Sequence, residues 1–293
     1  MKPAVFEYRR PATVAAALAD LALAESARVL AGGQSLVPLL NLRLTTPSVV
    51  VDINRVAGLD QLSERDGRVH IGATVRQAFV LASDLVQQRV PLVAAALARV
   101  AHPQVRARGT VVGNLCHHDP ASELPAVAAA LDAEFTVVAP DGSETVVAAA
   151  DFFLDSFEVA VPRGGLVTGV SFPVAAPGTG AGFFEIARKA KDFALIACAA
   201  QLTLAEGPDA AVADARVAVT GLGHRPVRMT EVEAALRGGL PTEDALREAA
   251  RLATGEVLAE VNRRSSAAYR SRVLPVVVLR ALRAASTDLE VRA

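Results

Sequence analysis

Two adjacent glycines, Gly32 and Gly33, stand where a strand pattern gives way to helical spacing. Residues 28–31 read as a short strand, and a helix over about 35–44 follows, with Ser35 as its N-cap. Upstream, residues 12–23 repeat apolar positions at helical spacing. Downstream, the β-branched run 49–53, interrupted by Asp52 and closed by Asn54, reads as a buried strand. This βαβ-like rhythm predicts α/β organisation for the first third of the chain. Adjacent glycines let the backbone turn sharply and bring N–H groups close to a ligand. The helix start adds unpaired donors and a partial positive charge, which together suit a phosphate. A tight turn capped by Ser35 accounts for the same residues, so the junction Ala31-Gly32-Gly33-Gln34-Ser35-Leu36 by itself leaves both readings open.

A second unit begins near Arg68. Residues 68–73 predict a strand, Thr74 a cap for a helix over 75–85, and Pro91 the start of another to about 100. Residues 101–122 are poor in regular pattern, and a helix near 123–131 follows. Residues 134–139 and 145–148 form a hairpin turned by Asp141-Gly142, and 166–172 a further strand. The small, Gly- and Pro-rich stretch 174–182 reads as a linker. Beyond it, strands near 183–188, 194–204 and 216–221 precede helices over about 231–237, 242–254 and 266–284, an α+β order. The run Gly178-Thr179-Gly180-Ala181-Gly182 lacks the strand and helix that a dinucleotide loop requires around it.

Residues 108–125 are long, irregular and polar, yet lie between two apolar helices, and such segments are usually functional. Gly109 and Gly113 permit unusual backbone angles, while Thr110, Asn114, Ser122 and Glu123 offer hydroxyl, amide and carboxylate partners. Together with the first junction they could grip a diphosphate from both sides without Lys or Arg.

Composition narrows the classes. With 52% hydrophobic residues a real core is available, and a net charge of −1 argues against broad nucleic-acid or anionic-membrane binding. The longest apolar stretches, 92–98 and 193–200, fall far short of the roughly 20 residues of a membrane span. Glu7, Arg9 and Arg10 occupy the place of a signal peptide's apolar segment, so a cytoplasmic protein is expected. Aromatics are only 4% and Trp is absent, so a planar ligand must be held by backbone contacts and aliphatic packing. Cys116 and Cys198 are too few for a disulfide framework or an iron–sulfur site.

The segments AGGQSLVPLLNLRL, VVDINRV, HIGATV, PQVRARGTVVGN and DPASELPAV resemble the flavin-binding subunit of the molybdenum hydroxylases, the xanthine dehydrogenase and aerobic carbon monoxide dehydrogenase family. The resemblance continues in order through ARKAKDFALIACAAQL, AVTGLGHRPVR and SSAAYRSRVLPVVVLRAL, so it covers nearly the whole chain. It implies an α+β fold: an FAD-binding domain of the PCMH/vanillyl-alcohol-oxidase type over residues 1–174, built of two α/β subdomains (about 1–58 and 59–174). A C-terminal α+β domain over 183–293, an antiparallel sheet with helices like that of the carbon monoxide dehydrogenase flavoprotein, completes it.

By matching motif, Ala31, Gly32, Gly33, Gln34, Ser35 and Leu36, with Thr110, Gly113 and Asn114, inherit contacts to the FAD diphosphate. Glu123 falls on an acidic cofactor-contacting position, Asp192 in a segment near the flavin, and Leu166 or Val167 along the ring. The family usually has two glycines before the Asn, and here Val112 replaces the first. A β-type conformation at Val112 keeps the diphosphate contact; the opposing reading is weakened or lost FAD affinity. His102, His117 and His118 cluster near this loop, but the family binds FAD non-covalently, and neighbouring His with Cys116 rarely converge on a metal. A loop-packing role is expected for them, and a core position for Cys198.

The function implied is electron transfer, with no general acid or base on this chain. A large partner subunit carries molybdopterin, and a small one carries two [2Fe–2S] clusters. The clusters reduce FAD, which reduces an external acceptor, and the assembly is a dimer of heterotrimers. The rivals are a UDP-N-acetylenolpyruvoylglucosamine reductase-like enzyme, a stand-alone flavin oxidoreductase, and a non-redox structural subunit that has lost FAD.

Overall fold

The computed structural model describes residues 2–292 except 208, 209, 256, 259, 260, 262 and 263. The first layer contains β1 (Glu7–Arg9), α1 (Val14–Leu21), β2 (Arg28–Leu30), α2 (Leu36–Asn41) and β3 (Val49–Asp52). Its three strands are parallel in the order β1-β3-β2, so the apolar run of β3 is the buried middle strand. The Thr13 hydroxyl accepts from the Ala16 N–H at 3.2 Å to start α1, which buries Ala17, Leu18 and Leu21. Ser35 precedes α2, but its hydroxyl makes no capping bond, contrary to the N-cap expectation.

The second layer opens with β4 (Leu62–Arg65) and β5 (Arg68–Gly72). Six helices follow: α3 (Gln77–Ala82), α4 (Asp84–Arg89), α5 (Pro91–Leu97), α6 (Pro103–Arg106), α7 (Val111–His117) and α8 (Leu124–Ala130). It closes with β6 (Glu134–Val138), β7 (Glu144–Ala148), α9 (Ala149–Phe152), the small hairpin β8 (Phe153–Asp155) and β9 (Glu158–Val159), and β10 (Leu166–Pro173). The sheet order β4-β5-β10-β6-β7 is antiparallel, so the last strand inserts at the centre. Phe135 and Phe152 stack at 3.5 Å between ring centroids, with Phe153 edge-on to both, filling the core beside β6.

Two expectations fail here. Thr74 caps nothing: α3 starts at Gln77, and Arg76 takes the cap position. The stretch expected to be irregular contains α6 and α7. The Thr110 hydroxyl accepts from the Gly113 N–H at 3.0 Å and so starts α7.

The C-terminal unit comprises β11 (Thr179–Ala187), β12 (Ala194–Leu204), β13 (Val212–Thr220), β14 (Val227–Arg228), α10 (Thr230–Leu236), α11 (Glu243–Arg251) and α12 (Ala267–Arg292). Its strands pair antiparallel in chain order, with α12 across β11 and β12. The glycine-rich stretch is therefore not all linker, because Thr179–Gly182 already pairs with β12. A Cβ on Gly180 or Gly182 would overlap the carbonyl oxygen of Ala285 or Ala281, so these glycines let α12 lie directly on the strand.

Charged contacts join this unit to the rest. Asp132, just after α8, meets Arg216 at 2.8 Å and Arg228 at 2.9 Å, and Arg292 donates to the Gln87 carbonyl at 3.2 Å. Among the described residues no helix is long and apolar enough to cross a membrane.

Candidate functional site

The two glycine segments meet. A Cβ on Gly32 would stand 2.5 Å from the Arg108 carbonyl oxygen and 2.7 Å from the Gly109 Cα. Gly33, at φ 74°, makes the turn that leads into α2. On the facing side a Cβ on Gly113 would lie 3.9 Å from the Ala31 Cβ. Ala31–Leu36 and Thr110–Asn114 thus form one joint, lined by two helix starts whose first N–H groups have no partner within their own helix. The Asn114 Oδ1 is buried and has no hydrogen-bond partner among the described residues. A hydroxyl or N–H of a nucleotide's sugar or ring would satisfy it, and the phosphates would accept from the N–H groups, so the residues present fit a nucleotide diphosphate.

Val112 lies inside α7, in helical conformation, with its side chain 2% exposed in the core. The β-type conformation expected for it is not found. The position demands no positive φ, so a side chain is accommodated and packs into the hydrophobic core.

A polar network fixes both segments from behind. The Tyr8 hydroxyl donates to Asp52, whose other oxygen accepts from the Asn54 backbone N–H at 2.9 Å and the Asn54 amide at 2.6 Å. Burial opposes ionisation of Asp52, but the bonds from Tyr8 and Asn54 outweigh it and hold the carboxyl below the usual range. The Asn54 amide also donates to the Ala31 carbonyl at 2.8 Å. Arg76 donates to Asn54 Oδ1 at 2.5 Å and to the Arg108 carbonyl at 2.7 Å. Its backbone pairs with Thr110 as an isolated bridge, and the Gln77 N–H donates to the Gly109 carbonyl at 2.8 Å. Sequence reasoning nominated neither Asn54 nor Arg76. The one signal was the place of Asn54 directly after a buried strand.

Glu123 precedes α8 and is 6% exposed. Burial, reinforced by the nearby Glu185 carboxylate, raises its pKa to about 8, so it is mainly a neutral acid at pH 7. Glu185 on β11 is also raised by burial, against the pull of Arg99 and Lys191, and its Oε2 is buried without a partner among the described residues. Asp192 lies in the turn between β11 and β12, where it accepts from the Phe193 N–H at 2.9 Å. Its neighbour Lys191, at φ 67°, donates to the Ala98 carbonyl at the end of α5. That contact ties the turn to the second layer on the Glu123 side. The structure thus brings Glu123 and the Asp192 turn into one electrostatic cluster.

Leu166 and Val167 begin the central strand β10, both buried, opposite Val138 and Val137. The Thr168 carbonyl accepts from the Ala73 N–H at 2.9 Å, three residues before Arg76. His118 ends α7 at φ 43°, with Nδ1 2.7 Å from the Asp155 carbonyl and its ring 4.6 Å from Phe153. Burial lowers the pKa of both His117 and His118, as fits loop packing. Cys198 is fully buried in the C-terminal core, and its thiol is pushed far up by burial.

Residues 4–175 match the family described as the FAD binding domain in molybdopterin dehydrogenase, and residues 181–285 match the CO dehydrogenase flavoprotein C-terminal domain. The chain is 37% identical to the 6-hydroxypseudooxynicotine dehydrogenase complex subunit alpha of Paenarthrobacter nicotinovorans, over 96% of this chain and 95% of that one. It is 34% identical to the carbon monoxide dehydrogenase medium chain of Hydrogenophaga pseudoflava, over 97% and 98%. The solved quinoline 2-oxidoreductase from Pseudomonas putida 86 superposes with a TM-score of 0.91 at 32% identity, covering 99% of this chain and all of that one. The chain therefore belongs to the FAD-binding medium subunits of the molybdenum hydroxylases, a family of oxidoreductases, and has their α+β fold.

Proposed function

We propose that this chain is the electron-transfer subunit of a heteromeric molybdenum hydroxylase. A small partner carrying [2Fe–2S] clusters delivers electrons, a large molybdopterin-binding partner oxidises the substrate, and the three chains pair into a dimer of heterotrimers in the cytoplasm. Bound FAD supplies the redox step between the partner's clusters and an external acceptor.

This chain's own residues bind and orient. Ala31–Leu36 and Thr110–Asn114 hold the diphosphate non-covalently through backbone N–H groups and the Asn114 amide. Neutral Glu123 offers a proton donor to the cofactor, where a carboxylate would only accept. Leu166 and Val167, buried at the start of β10, would supply aliphatic packing to the ring, and Asp192 orders the turn between β11 and β12. The FAD-binding part corresponds to residues 1–174, with subdomains about 1–58 and 59–174. The C-terminal part corresponds to residues 183–293, and its first strand, β11, extends back to Thr179.

The observation that carries this reading is the joint of Gly32 with Arg108 and Gly109, which brings two phosphate-type loops into contact. Its support for a heteromer comes from the relatives, which are named as medium chains and subunits. A tagged chain purified from its native host tests the assembly. The reading expects a large molybdopterin-containing chain and a small Cys-rich chain to copurify with it. A flavoprotein that elutes alone, and is bleached directly by a substrate, overturns the electron-transfer role.

A further inference from the structure

The contacts behind the joint single out Arg76. Its guanidinium is partly buried and reaches two acceptors on different segments: Asn54 Oδ1 at 2.5 Å and the Arg108 carbonyl at 2.7 Å. Asn54 in turn holds the Ala31 carbonyl at 2.8 Å and is fixed by Asp52, which Tyr8 also grips. A single chain of hydrogen bonds therefore runs from β1 through β3 to both halves of the joint. Each half of the joint thus has one carbonyl held from behind, Ala31 by Asn54 and Arg108 by Arg76. Pulling those carbonyls back keeps their negative ends away from an anion.

We propose that Arg76, seated on Asn54, is the positioning residue that sets the separation of the two loops for a diphosphate. The proposal rests on the assignment of the joint to the FAD diphosphate. It requires the planar fork of an arginine, because the two bonds leave from separate nitrogens, Nη1 to the Arg108 carbonyl and Nη2 to Asn54, whereas the donors of a lysine all share one nitrogen on a flexible stem. A role in bulk charge alone predicts that lysine suffices. A role in folding alone predicts that every ligand weakens in the same proportion.

The test uses the full chain freed of FAD, with ADP and AMP as competitors against FAD binding, and compares Arg76→Lys, Arg76→Met and Asn54→Ala. The native chain should prefer ADP over AMP, since both phosphates sit in the joint. In all three variants that preference should shrink by about tenfold, FAD should weaken in step with ADP, and AMP should change little. Thermal unfolding of each apo-variant reports whether the fold survives, and Arg76→Lys retains the charge if Arg76→Met does not fold. Retention of the ADP preference in Arg76→Lys overturns the proposal, as does equal weakening of ADP and AMP. Equal competition by ADP and AMP in the native chain instead overturns the diphosphate assignment itself.

Discussion

Gly32 touches the Arg108–Gly109 peptide so closely that an added Cβ would stand 2.5 Å from the Arg108 carbonyl oxygen. The two residues are far apart in sequence, yet their contact brings the strand-to-helix junction of the first layer against the loop that starts α7. The contact exists because Gly32 carries no side chain there.

Gly32→Ala is therefore expected to push the loops apart and weaken FAD at least about tenfold. Titration of the apo-chain with FAD, followed by flavin fluorescence, measures this. An unchanged dissociation constant contradicts the joint as the diphosphate site.

Val112→Gly restores the glycine pair usual in the family, and the expected outcome is loss without gain. The side chain is 2% exposed in the core and sits in a helix. Its removal should cost about 2–4 kcal/mol of stability, from the cavity and from glycine's helix penalty. FAD affinity should not improve. Denaturant unfolding and FAD titration of the same variant check both halves.

Glu123 links stability to pH. Its folded pKa is raised from 4.5 to about 8, so between these values the folded chain binds a proton that the unfolded chain has released. Stability from this group is then fully present below about 4.5 and is lost as pH rises toward 8, at up to roughly 1.4 kcal/mol per pH unit. Glu123→Gln should flatten that slope and make the apo-chain the more stable of the two above pH 8. Urea unfolding across that range tests it, and parallel curves for the two proteins would falsify the buried neutral acid.

Gly182→Ala should destabilise the C-terminal unit, because the new methyl meets the Ala281 backbone of α12 and neither partner can rotate away. A loss on the order of 1–3 kcal/mol is expected for such overpacking. A melting temperature equal to the native value contradicts the direct seating of α12 on β11.

The sequence carried the strand–Gly-Gly–helix junction, the hairpin at Asp141-Gly142 and the all-antiparallel C-terminal sheet. Local spacing encodes the first two, and the resemblance to the family supplied the antiparallel pairing of the third. It hid α7, whose seven residues include a glycine and two polar side chains and span too few turns for a period to show. It also turned Gly180 and Gly182 into a linker, since glycine weakens a strand pattern unless a second element lies against it. Arg76 and Glu185 look like ordinary surface charges in their own segments. Only packing between distant segments buries them and gives them partners.

The most direct measurement is the uptake of FAD by the purified, cofactor-free chain, read as a flavin absorbance spectrum and a binding stoichiometry. The account predicts one FAD per chain, released intact when the protein is denatured, with ADP competing for the site. A chain that stays colourless with excess FAD, or that holds flavin covalently through denaturation, contradicts it.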